Sequence, residues 1–149
     1  MTDDTDFAIL RALSLDAQLS AGELARALGL SQPNIWRRIH ALTQSGILNG
    51  ARVDADRARL GFGVTVFLGV KLATKGRVSL EDFERAVLAI PEVQVVQHVL
   101  GLFDYRLRVV ARDIADFERV LRRRIMTLPG VGQVEANVLL TEERRPGPI

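Results

Sequence analysis

The chain has 149 residues, 48% of them hydrophobic, which suffices for a core and rules out wholesale disorder. It lacks cysteine and has only His40 and His98, far apart, so disulfides and thiolate metal sites are excluded and neither a metal nor a cofactor is expected. A formal net charge of +2 argues only weakly for nucleic acid, while an acidic start and the lack of a long apolar run predict no signal peptide, no membrane span and a cytoplasmic location.

Residues 3–15 read as a helix opened by aspartates, with Phe7, Ile9, Leu10 and Leu13 as its apolar stripe. Ser20 and Glu23 have capping-box spacing ahead of Leu24, Ala25 and Leu28, and Gly29 ends this second helix. Ser31 is expected to cap a third helix. Pro33 is tolerated in its first turn, Ile35, Ile39 and Leu42 face inward, and Ser45-Gly46 stops it. Three short helices with a tight break at Gly29-Leu30-Ser31 make a helix-turn-helix unit. Ile47 to Val53 is expected to follow as a small hairpin or wing turning at Asn49-Gly50. Between 31 and 59, Arg37, Arg38, Arg52, Arg57 and Arg59 are opposed only by Asp54 and Asp56, the local positive charge that phosphate binding needs.

From Gly61 the period changes to two. Val64, Val66, Leu68, Val70 and Leu72 alternate with Thr65, Phe67, Gly69 and Lys71, a strand pattern. Ser79 is expected to cap a helix with Leu80, Phe83, Val87 and Ile90 inward and Pro91 beyond its end. Strands are predicted at Val93 to Leu100 and Tyr105 to Ala111, a helix at Ile114 to Leu128, and a last strand at Val131 to Leu140. The fold class is therefore α+β: an N-terminal (winged) helix-turn-helix domain at 1–53, a linker at 54–63, a ferredoxin-like βαββαβ domain at 64–141 and a frayed tail at 142–149. With both helices on one side of the sheet, the other side is expected to expose apolar side chains. A second copy would cover them, which predicts a homodimer.

Several short patterns carry a family resemblance in order. They are Asp3-x-x-Asp6-x-x-Ile9-Leu10, Glu23-Leu24-Ala25, Gly29-Leu30-Ser31, and Arg37-Arg38-Ile39-x-x-Leu42 with Gly46-Ile47. Leu60-Gly61, Pro91-x-Val93, Gly101-x-x-Asp104-Tyr105 and Leu128-Pro129-Gly130-Val131 continue the series. Together they resemble the Lrp/AsnC family of leucine-responsive, "feast/famine" regulators over nearly the whole chain. The chain departs from that pattern at Thr2, Gln18 and Thr43, which bears on caps and surface contacts more than on the fold.

The resemblance implies a sequence-specific DNA-binding transcription regulator, not an enzyme. A small effector such as an amino acid is expected to modulate it by shifting the assembly of dimers into tetramers or octamers. The recognition helix is expected at 31–45, with Ser31, Gln32, Pro33, Asn34, Trp36, Arg37, Arg38 and His40 on or beside its DNA face. Arg37 suits a guanine edge or a phosphate, and Gln32 and Asn34 an adenine or a phosphate. Arg38 either binds phosphate or braces the fold, and Trp36 either packs at the helix edge or meets a thymine methyl or sugar. His40 is read as a phosphate contact or a surface residue. By resemblance the turn at Gly101 and Asp104, beside Tyr105, lines the effector pocket, with Asp104 offering a carboxylate to an ammonium and Gln97 and Asn137 as polar candidates. Arg119, Arg122, Arg123 and Arg124 read as a solvated face paired with nearby acids. Two alternatives remain open: an enzyme resembling the sirohaem decarboxylases of haem biosynthesis, for which His98 is the only histidine in the second domain, and an assembly module without DNA binding.

Overall fold

The computed structural model describes residues 2–73, 76–143 and 147, and divides into two compact units at the Asp54–Ala55 junction. The first unit holds helices α1 (Asp4–Leu15), α2 (Ala21–Leu28) and α3 (Gln32–Gln44). Two are opened by capping boxes. The Asp3 and Ser20 side chains accept from the Asp6 and Glu23 amides, and the Asp6 and Glu23 carboxylates reach back to the cap backbones. Gly29 ends α2 at φ 66°, a left-handed conformation that a side chain would strain, and its position sets the tight turn into α3.

Ile9, Leu24, Ala25 and Ile35 form the core of this unit, with Ala12, Leu13 and Ile39 packed against it. Phe7, expected inward, is 49% exposed. It sits about 200° around the helix from Ile9, and the inward stripe is Ile9, Ala12 and Leu13. The expected wing does not form: no strand lies between 47 and 63, and Val53 is fully open to solvent. Strands so short, without an apolar face to bury, do not hold a hairpin. Within the expected linker, Asp56 to Phe62 folds into a turn in which the Phe62 amide donates to the Arg57 carbonyl at 2.8 Å.

Arg38 ties α3 to α1. Its Nη1 donates to both Asp3 carboxylate oxygens at 2.9 Å and to Asp6 Oδ1 at 2.7 Å. The Asp6 amide, and then Arg38, hold the Asp3 carboxyl below its ordinary value, and the Ser20 amide and hydroxyl do the same for Glu23. A depressed folded pKa contributes stability that is complete above the unfolded value and is lost as pH falls through the folded one. The first unit is therefore expected to weaken progressively below about pH 4. Urea unfolding of wild type and Arg38→Met between pH 7 and 3 checks this: the variant should start less stable and lose less on acidification.

The second unit follows the order β1 (Val64–Leu72), α4 (Arg77–Leu88), β2 (Val93–His98), β3 (Tyr105–Ala111), α5 (Ile114–Val120) and β4 (Val131–Val138). Its four strands pair antiparallel in the order β2-β3-β1-β4, the ferredoxin-like arrangement. Val66, Leu68, Val70 and Leu72 of β1 and Leu107 and Val109 of β3 meet Phe83 and Val87 of α4 and Phe117 and Val120 of α5 in one core. Helix α4 starts at Arg77 behind Gly76, so Ser79 lies inside its first turn and is not its cap. The predicted last helix does not run α-helical to Leu128. From Leu121 to Ile125 it widens into a π turn, closed by the Met126 amide on the Leu121 carbonyl at 2.8 Å. The wider turn keeps Ile125 buried while passing Arg122, Arg123 and Arg124 around the outside. The tail expected at 142–149 lies mostly outside the described residues.

The helix-free face of the sheet is not the apolar surface expected. Alternation gives it Thr65, Phe67, Gly69 and Lys71 of β1, Val95 and Gln97 of β2, Arg106, Arg108 and Val110 of β3, and Gln133, Glu135 and Asn137 of β4. Only Phe67, Val95 and Val110 are apolar and of any size. The helix side takes most of the branched residues because the core draws on the other parity of each strand.

Candidate nucleic-acid interface and sheet cavity

Helix α3 has two opposite stripes. Ile35 and Leu42 are buried and Ile39 is partly so, while Gln32, Pro33, Trp36, Arg37 and His40 are exposed. Pro33, Trp36, Arg37 and His40 fall at three- and four-residue spacing on one outward stripe. Ser31 stands at the N-cap by position, but its hydroxyl makes no capping bond, contrary to expectation; only its backbone oxygen accepts, from the Ile35 amide at 3.1 Å. The first-turn amides of α3 are thus left for an outside acceptor, where the helix dipole favours an anion.

The other expected contact residues divide by what they already touch. Asn34 is half-buried, and its Oδ1 accepts from Arg37 Nη2 and Arg38 Nε, both at 3.3 Å. That leaves its amide NH₂ as a donor, which suits an acceptor edge better than adenine, whose recognition needs both amide atoms. Arg38 is engaged by Asp3 and Asp6, which is the bracing half of the expectation. Trp36 does not pack at the helix edge: it is 64% exposed, with its ring stacked on His40 at 5.4 Å between centroids and 4° between planes.

On the second unit, a cavity of about 430 Å³ opens on the helix-free face of the sheet. Its floor is β1 at Phe67 and Gly69, its edge is Asn137 and Glu135 on one side and Arg106 on the other, and its wall is the loop 99–103. Strand pairing sets Arg106, Gly69 and Glu135 in one row across β3, β1 and β4. Gly69 is what lets the loop close down. A Cβ there would lie 2.6 Å from the Phe103 ring, so the ring rests directly on backbone.

Of the residues expected at an effector pocket, Gly101 and Asn137 line this cavity, and Gln97 lines an adjoining one of about 240 Å³ with Phe67, Arg106 and Arg108. Asp104 and Tyr105 line neither. The Asp104 carboxylate accepts the Leu72 amide at 2.9 Å, pinning the turn to the end of β1. Tyr105 is fully buried on the helix side, donating its hydroxyl to Glu84 Oε1 at 2.6 Å, its ring stacked on His98 and tilted against Phe83. Burial, then the Glu84 carboxylate, raise its hydroxyl pKa well above the ordinary value. Arg106, Glu135, Phe67 and Phe103 were not expected at the site. The parity of β3 was the available signal, since it puts Arg106 opposite Tyr105, Leu107 and Val109.

Elsewhere, Arg119 pairs with Asp116, Arg122 with Glu118 and Arg124 with Glu92. Arg108 lies with its guanidinium 6.0 Å over the Phe67 ring, and its buried Nε finds no acceptor among the described residues. Among those residues no cluster of three or more histidines or carboxylates could hold a metal, and no helix is long and apolar enough to cross a membrane.

Comparison with known proteins matches residues 2–49 to a family model described as winged helix-turn-helix DNA-binding, and residues 65–148 to one described as the Lrp/AsnC ligand binding domain. A proline dehydrogenase transcriptional activator of Rhodobacter capsulatus is 34% identical over 94% of the chain and 91% of its own length. The transcriptional regulator AzlB of Bacillus subtilis is 30% identical over 97% and 92%. A Neisseria meningitidis transcriptional regulator, solved as a complex with L-methionine, superposes with a TM-score of 0.92 at 25% identity, covering 100% of this chain and 96% of that one. Escherichia coli AsnC does so with a TM-score of 0.83 at 28% identity, covering 97% and 96%.

Proposed function

The chain belongs to the Lrp/AsnC family of DNA-binding transcription regulators, and on that premise we propose that α3 reads an operator through its outward stripe while the sheet cavity takes a small zwitterionic effector. The observation that carries the DNA reading is the stripe Pro33, Trp36, Arg37 and His40, set opposite a buried one on a helix whose N-terminus has no side-chain cap. A phosphate at the α3 N-terminus would fix register, and Arg37 and the Asn34 amide would reach base edges. Arg38 acts at one remove, holding α3 against α1.

An effector such as an amino acid fits the cavity by charge. Arg106 and Glu135 flank Gly69 as one cation and one anion, matching a carboxylate and an ammonium, and Phe67 and Phe103 offer apolar surface to a side chain. A second copy laid on the same sheet face would roof this cavity and supply the acceptor that Arg108 Nε lacks. Effector and dimer then meet on one surface, so a ligand favouring one packing over another shifts assembly toward tetramers or octamers. Two copies would place two α3 helices in successive major grooves, about one helical turn apart, on a pseudo-palindromic site.

The test is binding to the DNA upstream of the protein's own coding region at several salt concentrations, wild type beside Arg37→Ala. Wild type should bind specifically and weaken steeply with salt. The variant should lose about tenfold to a hundredfold, the discrimination of one bidentate arginine. Binding to no DNA at any salt would remove the regulator reading.

A further inference from the structure

We propose that Trp36 and His40 act as one preformed aromatic wedge that selects thymine at the operator position beneath it; this rests on the DNA reading of α3. The two residues are one helical turn apart, which places their side chains side by side on the same face. Their rings are parallel within 4° at a centroid separation of 5.4 Å, an offset stack. Both lie on the outward stripe, and Trp36 keeps 64% of its surface in water although it is the chain's only tryptophan. Nothing in the first unit's core uses this ring: the buried cluster is Ile9, Leu24, Ala25 and Ile35, on the other side of the helix.

The chemistry of the major groove narrows what such a ring can meet. Base edges there offer hydrogen-bond donors, acceptors and one apolar group, the C5-methyl of thymine. An indole face has little to gain from the polar edges of guanine, adenine or cytosine, and desolvating them without a partner is unfavourable. Thymine is the one base that gives Trp36 a surface to bury. His40 does not need to touch a base for this. Stacked against the indole it restricts the ring to one orientation before docking, so less freedom is lost on binding. Trp36 is thus the residue that selects thymine and His40 a positioning residue, while Arg37 reads a base edge of its own and the phosphate at the α3 N-terminus supplies a salt-dependent part of affinity.

The experiment starts from a random duplex library enriched with the wild-type protein. Each thymine of the enriched site is then replaced singly by deoxyuridine, which removes the methyl and nothing else. Wild type should lose about threefold to fivefold at one or two positions per half-site, the worth of a buried methyl, and be indifferent at the rest. Trp36→Ala, which changes an exposed side chain and should keep the wild-type melting temperature, should bind thymine and deoxyuridine duplexes alike. His40→Ala should reduce the discrimination, and His40→Phe, which keeps a ring to stack on, should restore it. The dependence on salt should be the same in all four proteins. The proposal is overturned if no deoxyuridine position matters to wild type, or if Trp36→Ala still discriminates. It also fails if Trp36→Ala weakens both duplexes equally with wild-type discrimination intact, since the ring then lies on the sugar–phosphate backbone. A wild type that enriches no sequence overturns the DNA reading of α3 and this proposal with it, a result separate from enrichment without methyl dependence.

Discussion

Leu24→Ala is expected to remove most of the first unit's stability and to leave the second unit's unchanged. Leu24 is fully buried, and only three other residues, Ile9, Ala25 and Ile35, complete the buried cluster of this unit. Removing a buried leucine side chain costs about 2–5 kcal/mol when the surroundings cannot collapse. A unit of this size has a total stability of roughly 3–8 kcal/mol, so one truncation consumes most of it. Specific DNA binding should weaken with it, because α3 is held by Ile35 against the same cluster. Amide hydrogen exchange resolved along the chain checks both halves of the expectation: protection should fall steeply in α1, α2 and α3 and keep its wild-type level in β1 and β3. Loss of protection in the sheet as well would mean that the two units fold as one.

Gly69→Val should be the most damaging single change in the sheet that touches no core residue. A Cβ at this position would stand 2.6–2.8 Å from three atoms of the Phe103 ring, closer than real contacts allow. The ring must leave, and the loop 99–103 that walls the cavity goes with it. Overpacking of this kind costs about 1–3 kcal/mol. The origin of the loss is testable by rescue. Phe103→Ala alone should destabilise by leaving Gly69 uncovered, but in the Gly69→Val background it should recover much of the loss, because the ring no longer competes for the space. Thermal melts of the four proteins give the coupling directly. Additive losses would show that valine disturbs β1 itself and not the Phe103 contact.

Much of the fold could be read from residue order, and the failures have local causes. Strand β3 was found at its observed limits because Leu107 and Val109 alternate with two arginines, a period that only a half-buried strand satisfies. Ser20 and Glu23 announced α2 through a cap that depends on neighbouring residues alone. The wing was not legible as absent: Asn49-Gly50 is a good turn, and whether strands form beside it depends on what they could bury. Likewise the π turn at Leu121–Ile125 answers to a sheet several elements away, which no local spacing records. At the cavity, Gly101 and Asn137 follow from the family pattern, whereas Asp104 and Tyr105 do not line it. Tyr105 shares its strand parity with Leu107 and Val109, so the sheet sends it into the core. Asp104 is taken by a backbone amide whose partner strand lies some thirty residues earlier in the chain. Topology alone implies an apolar open face, but the alternation of β1, β3 and β4 makes it a mixed one.

The distribution of aromatic residues gives each unit its own optical signature. The single tryptophan, Trp36, lies exposed on α3, and the single tyrosine, Tyr105, is sealed in the core of the sheet unit. Indole emission therefore reports the helical unit alone, and it does so from the surface that docking would shield from quenchers in solution. Tyrosine absorbance reports the other unit through its loss of burial. Unlabelled protein thus carries two independent spectroscopic channels, one for the helices and one for the sheet.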